Sequence, residues 1–140
     1  MKTTDALSLL SRIRQKANNR ILSELANHGI EGLATSHGDI LYALFDREKM
    51  TMAEIASKIH KDKSTVTALV NKLCQIEYVK KEKEQTDTRV NYVFLTEKGK
   101  ALKSIFIEIS NKLMEDFYRG VSEEEKEAFL ELLCKIEKNL

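Results

Sequence analysis

Hydrophobic positions along the chain recur mostly at helical spacing, with one short stretch that reads as strand. Leu10, Ile13, Ala17, Ile21 and Leu25 return every three or four residues and share one face of a helix over about 5–27. Gly29 and Gly32 bracket a loop. Ser36 is the expected cap of a second helix, which carries Ile40, Leu41, Leu44 and Phe45 inside. Thr51-Met-Ala-Glu54 has the form of a capping box and opens a short helix to about residue 59. After a polar break at His60-Lys61-Asp62, a helix over about 63–76 turns Val66, Leu69, Val70 and Leu73 to one side.

The period then changes. Val79, Val90, Tyr92, Val93 and Phe94 are good strand formers on either side of the polar run 80–88, which predicts a β-hairpin with a charged tip. Thr96 caps a long helix predicted over about 97–119, with Leu102, Ile105, Phe106, Ile109 and Leu113 on one face and Gly120 as its end. Ser122 and Glu125 form a second capping box. The last helix carries Phe129, Leu132, Leu133, Ile136 and Leu140 on one stripe. The predicted fold is mainly α with a small β-wing: a winged helix-turn-helix with N- and C-terminal dimerisation helices. Residues 1–140 read as a single domain, with the winged helix at 33–98 and the flanking helices at 1–32 and 99–140.

Composition supports this picture. The 140 residues are 42% hydrophobic and 32% charged, which suits a globular domain, and the absence of proline favours uninterrupted helices. Net charge is only +1, so the whole surface is not a coat for a polyanion. Its distribution is uneven. Residues 1–30 hold five basic and two acidic side chains, residues 60–91 seven and five, and residues 108–140 five and nine. No apolar run resembles a signal peptide or a membrane span, and two cysteines make no disulfide framework, so a cytoplasmic protein without membrane association is expected.

The informative segment is 39–99, where two short helices, a tight polar turn and a hairpin follow one another. In a helix-turn-helix the second helix enters the major groove. With its apolar stripe facing inward, the helix at 63–76 presents Ser64, Thr67, Ala68 and Asn71 outward, with Thr65 and Lys72 beside them. Short hydroxyl and amide groups approach base edges closely, and asparagine can pair bidentately with adenine. Hydroxyls at a helix start also serve as caps, so Ser64 and Thr65 carry both readings. At the hairpin tip, Arg89 is the best candidate to enter a minor groove, and Asp87 two residues earlier can hold its guanidinium.

The stretch Asp62-Lys-Ser-Thr-Val-Thr-Ala-Leu-Val-Asn-Lys-Leu73 resembles the recognition helix of the MarR family. Asp87-Thr-Arg89, followed by Val93-Phe-Leu-Thr-Glu-Lys-Gly99, resembles that family's wing and the opening of its next helix. The resemblance covers essentially the whole chain. It implies a homodimeric transcription regulator of palindromic double-stranded DNA, a repressor relieved by a small aromatic effector. It places Ser64, Thr65 and Thr67 in the major groove and Arg89, supported by Asp87, in the minor groove. Two positions depart from the pattern. Ala68 stands where an arginine is frequent, and Glu77 stands where glycine usually follows the recognition helix. A non-glycine residue in a left-handed cap costs roughly 1 kcal/mol, so this helix is expected to end differently.

A ligand pocket between the winged module and the dimer helices is part of the same expectation, with Tyr42, Phe45, Phe106 and Phe117 as candidate lining. Cys74 and Cys134 are expected to pack as inert residues, with a redox role as the alternative, foremost at Cys74. His28 and His37 flank one loop, but their spacing is not that of a metal site; no metal or cofactor is expected. No nucleophile motif or phosphate loop points to an enzyme. The competing readings are a winged-helix module that binds protein and a redox- or metal-responsive regulator.

Overall fold

The computed structural model describes all 140 residues. A single 3₁₀ turn leads into helix α1 (Ala6–Asn27), followed by α2 (Thr35–Leu44), strand β1 (Met50–Thr51), α3 (Met52–Ile59) and α4 (Lys63–Gln75). Strands β2 (Val79–Lys83) and β3 (Asn91–Leu95) form the hairpin. Helices α5 (Glu97–Lys100), α6 (Lys103–Phe117) and α7 (Glu123–Lys138) complete the chain. The sheet is antiparallel in the order β1-β3-β2, with Met50 opposite Val93 and Lys81 opposite Val93 from the other side. The expected winged helix-turn-helix is present, and β1 adds a third strand that the sequence did not suggest. No helix is long and apolar enough to cross a membrane.

The core gathers where the helical stripes meet the hairpin. Ile40, Leu41 and Leu44 of α2, Ile55 of α3, Val66, Val70 and Leu73 of α4 and Val93 of β3 are wholly buried. The predicted inner stripe of α4 thus faces inward, with Leu69 packed partly against the same core. Thr51 accepts from Glu54 N–H at 3.1 Å while Glu54 accepts from Thr51 N–H at 3.0 Å, so the predicted capping box closes. The box at Ser122 and Glu125 closes in the same way.

Three local expectations are corrected. Ser36 does not cap α2: the helix begins at Thr35, and Ala34 N–H donates to His37 Nδ1 at 2.9 Å, so an imidazole inside the first turn does the work of a cap. The long helix predicted over 97–119 is interrupted at Ala101 and Leu102, where Leu102 N–H reaches back three residues to Gly99 O. Just before the break lies Gly99, where a Cβ would stand 2.1 Å from the Tyr78 carbonyl oxygen. This close approach seats α5 against the hairpin base, and Leu102 is buried after it. Helix α6 ends at Phe117, and Gly120 takes the left-handed turn that follows.

The third correction concerns the end of α4. Glu77 adopts φ +66° and Tyr78 N–H donates to Leu73 O at 3.0 Å, so the helix stops as though glycine were present. Two neighbours hold the strained turn. Thr96 Oγ1 donates to Glu77 O at 2.6 Å, and Lys98 Nζ to Ile76 O at 2.9 Å. The Leu95-Thr-Glu-Lys-Gly99 segment therefore fastens the end of α4 to the start of α5.

Candidate nucleic-acid interface

Helix α4 starts under a cap of its own. Asp62 Oδ1 accepts from Thr65 N–H at 2.7 Å and from Ser64 Oγ at 2.8 Å, which holds the Asp62 carboxyl below the usual carboxylate range. Asp62 is thus the cap, a role that the run of hydroxyls after it had masked. Ser64 supports it, while Thr65 contributes only its backbone N–H. Thr67 Oγ1 donates to Lys63 O at 2.9 Å. Ser64 and Thr67 have therefore both committed their hydroxyl hydrogens, and what they turn outward is acceptor lone pairs.

Ser64, Thr67, Ala68, Asn71 and Lys72 are exposed and Thr65 half-buried, so the sequence-derived outer face stands as a continuous surface. At the wing tip, Asp87 takes Arg89 in a two-pronged contact, Nε to Oδ1 at 3.0 Å and Nη2 to Oδ2 at 3.1 Å. Asp87 Oδ1 also accepts from Arg89 N–H at 3.1 Å. The pair lowers the Asp87 pKa and raises that of Arg89. The Arg89 side chain remains 89% exposed, so the carboxylate orients the guanidinium without burying it. Across the hairpin, Tyr92 Oη donates to Glu84 Oε2 at 2.6 Å and Lys49 Nζ stands 4.2 Å from the Tyr92 ring centre, which braces the wing.

A cleft of about 360 Å³ lies between the start of α3, helix α4 and the hairpin. Thr51, Lys63, Thr67, Lys81, Arg89 and Asn91 line it. The fold thus brings Thr67 and Arg89 to one cleft and adds two cations that sequence reasoning missed. Lys63 is the first residue of α4. Lys81 shares the pleat face of buried Val79, turned toward α4, and its Nζ donates to Asn71 Oδ1 at 2.9 Å. Strand alternation carried that signal, but only once Val79 was known to face the helix.

On the other side of the molecule, α1, α2, α6 and α7 enclose a groove of about 630 Å³. The α1 stripe from Leu10 to Leu25 lines it, opposite Phe106, Phe117, Phe129 and Leu133. Tyr42 joins them, whereas Phe45 does not reach the groove and packs edge-on to Tyr42 and Phe106. Asp39 and Arg14 are polar exceptions in the lining; burial raises the Asp39 pKa against the pull of Arg14 and Lys61. Helix α7 has no buried residue, and Leu132 and Ile136 are about half exposed.

Cys74 is half-buried, and burial pushes its thiol pKa up, the opposite of an activated cysteine. Cys134 is exposed on α7 rather than packed within the chain. His37 Nδ1 is occupied by Ala34 N–H, so that nitrogen has no free lone pair for a metal.

Residues 33–90 match the model of the MarR family. The HTH-type transcriptional regulator SarZ of Staphylococcus aureus (strain USA300) is 36% identical over 86 residues, which are 61% of this chain and 57% of SarZ. The chain thus matches little more than half the length of this curated relative. Among solved structures, the chain superposes on MepR from the S. aureus MepR–DNA complex with a TM-score of 0.88 at 21% identity, covering 100% of this chain and 99% of that one. It superposes on BpsR of Bordetella bronchiseptica with a TM-score of 0.80 at 21% identity, covering 93% and 91%. The winged-helix segment, residues 33–90, is thus similar to the MarR family, and the whole chain shares the fold of these solved proteins.

Proposed function

We propose that this chain is a homodimeric, sequence-specific DNA-binding transcription regulator, a repressor released by a small aromatic molecule. The observation that carries the reading is the exposed polar face of α4 beside an Arg89 that Asp87 orients and leaves free. Helix α4 enters the major groove with Ser64, Thr65, Thr67, Ala68, Asn71 and Lys72, and the wing lays Arg89 in the minor groove. SarZ is a transcriptional regulator by name, and MepR was solved on DNA, which supports the assignment. The reading assigns the chain no catalytic step and places it in the cytoplasm.

Dimerisation by residues 1–32 and 99–140 rests on α7, which buries no residue and leaves Leu132 and Ile136 about half exposed. A two-fold partner covers it and sets two α4 helices about 34 Å apart, one turn of DNA. The groove beneath α1 and α2 is the place for the effector, and the DNA binding of BpsR is regulated by 6-hydroxynicotinic acid.

Selection of duplexes from a random pool at physiological salt tests the proposal. The expected result is a palindrome with half-sites about one turn apart. Arg89→Ala is expected to weaken binding to every duplex and to lower the slope of log affinity against log salt by about one. No retained DNA would move the same surface to a protein partner.

A further inference from the structure

The bond from Lys81 Nζ to Asn71 Oδ1 is the only side-chain to side-chain hydrogen bond between α4 and the wing. Asn71 is exposed one turn beyond Thr67 on the outer face of α4. Bidentate pairing with adenine requires the asparagine oxygen to accept from the N6 amino group while its NH₂ donates to N7. Lys81 takes one of the two lone pairs of Oδ1 and sets a positive charge beside the other. A positive charge at Oδ1 disfavours the approach of a further donor such as the adenine amino group. What the pair turns outward is the Asn71 NH₂ and the remaining N–H groups of Lys81. Guanine offers a matching edge in the major groove, because its N7 and O6 are both acceptors.

Resting on the DNA-binding reading above, we propose that Lys81 is a specificity-determining residue that biases Asn71 toward donating and makes it select guanine over adenine. The wing then does more than clamp the backbone, since one of its lysines sets what the recognition helix reads. Lys81 acts through Asn71 and is a positioning residue. A lysine touching only phosphate would add the same affinity to every sequence and carry no base preference.

The experiment is duplex selection with the full chain and with Asn71→Ala, Lys81→Met and Lys81→Arg. Asn71→Ala identifies the base position, because preference there flattens while the rest of the motif stays. At that position the wild type is expected to select guanine. Lys81→Met, which keeps the aliphatic stem and frees Oδ1, is expected to move the preference toward adenine by on the order of tenfold. Lys81→Arg, which keeps N–H donors, is expected to retain guanine. A Lys81→Met protein with an unchanged motif, a uniformly lower affinity and a salt slope reduced by about one would show a phosphate contact and overturn the inference. An Asn71→Ala protein with the wild-type motif overturns it as well. A wild type that enriches no motif removes the DNA-binding reading itself, an outcome distinct from both.

Discussion

The winged segment and the flanking helices are built to different degrees of completeness. Between Ile40 and Leu95 the helical stripes and the hairpin cover one another, and nine side chains there are excluded from solvent almost entirely. Helix α7 obeys the same hydrophobic period yet buries nothing, and α1 buries only Leu25. Helices α1 and α6 meet through Leu25, Phe106 and Ile109 and are also tied at the rim, through Arg20 to Asp116 and Lys112 to Glu24 at 3.4 Å. One region is finished by its own chain. The other leaves apolar surface exposed, which is the physical ground of the dimer proposal.

Substitutions in the two regions should therefore fail in different ways. Leu73→Ala, at a wholly buried position of α4, is expected to cost about 2–5 kcal/mol in denaturant unfolding. Ile136→Ser on α7 is expected to leave the fold of the chain intact and to weaken self-association roughly tenfold or more in sedimentation. If Ile136→Ser unfolds the chain as Leu73→Ala does, the two regions are not distinct. Gly99→Ala tests the seam between them. The added methyl meets the Tyr78 carbonyl oxygen at 2.1 Å, and a loss of about 3 kcal/mol is expected, together with weaker DNA binding because α4 and the wing are held there.

Glu77→Gly is a smaller change of opposite sign. It relieves the left-handed strain at φ +66° and should raise stability by up to about 1 kcal/mol. No gain would mean that Thr96 and Lys98 already offset the strain. The smallest effect concerns His37. Burial, with Lys72 nearby, lowers its pKa below the usual 6.5, so the folded chain favours the neutral imidazole. The unfolded chain binds the proton first on acidification. The associated stability is present at neutral pH and is lost progressively as pH falls below 6.5. Unfolding of wild type and His37→Gln on either side of 6.5 should show that this acid dependence is reduced in the variant.

Legibility followed the same division. The capping boxes at Thr51 and Ser122, the stripe of α4 and the pair Asp87 and Arg89 all depend on residues within a few positions of one another, and these were readable from the chain. What escaped depends on contacts between distant segments. The break at Ala101 comes just after Gly99 meets Tyr78, a contact between segments far apart in the chain. Helix α2 is capped by His37, a residue that capping preferences do not suggest. Lys81 looked like one charge in a solvated tip until the register of β2 turned it toward Asn71. At Glu77 the local rule was sound, but two hydrogen bonds from Thr96 and Lys98 overrode it.

The break at Ala101 and Leu102 joins the winged unit to α6 as the pivot of a drawing compass joins its point to its leg. The fifteen residues of α6 span about 22 Å, so a tilt of about 10° at the break carries the far end by about 4 Å. In the proposed dimer the distance between the two points is set by the opening of the legs, not by the points themselves. Changes at this break would retune the separation of the two reading helices while leaving every base-facing side chain untouched.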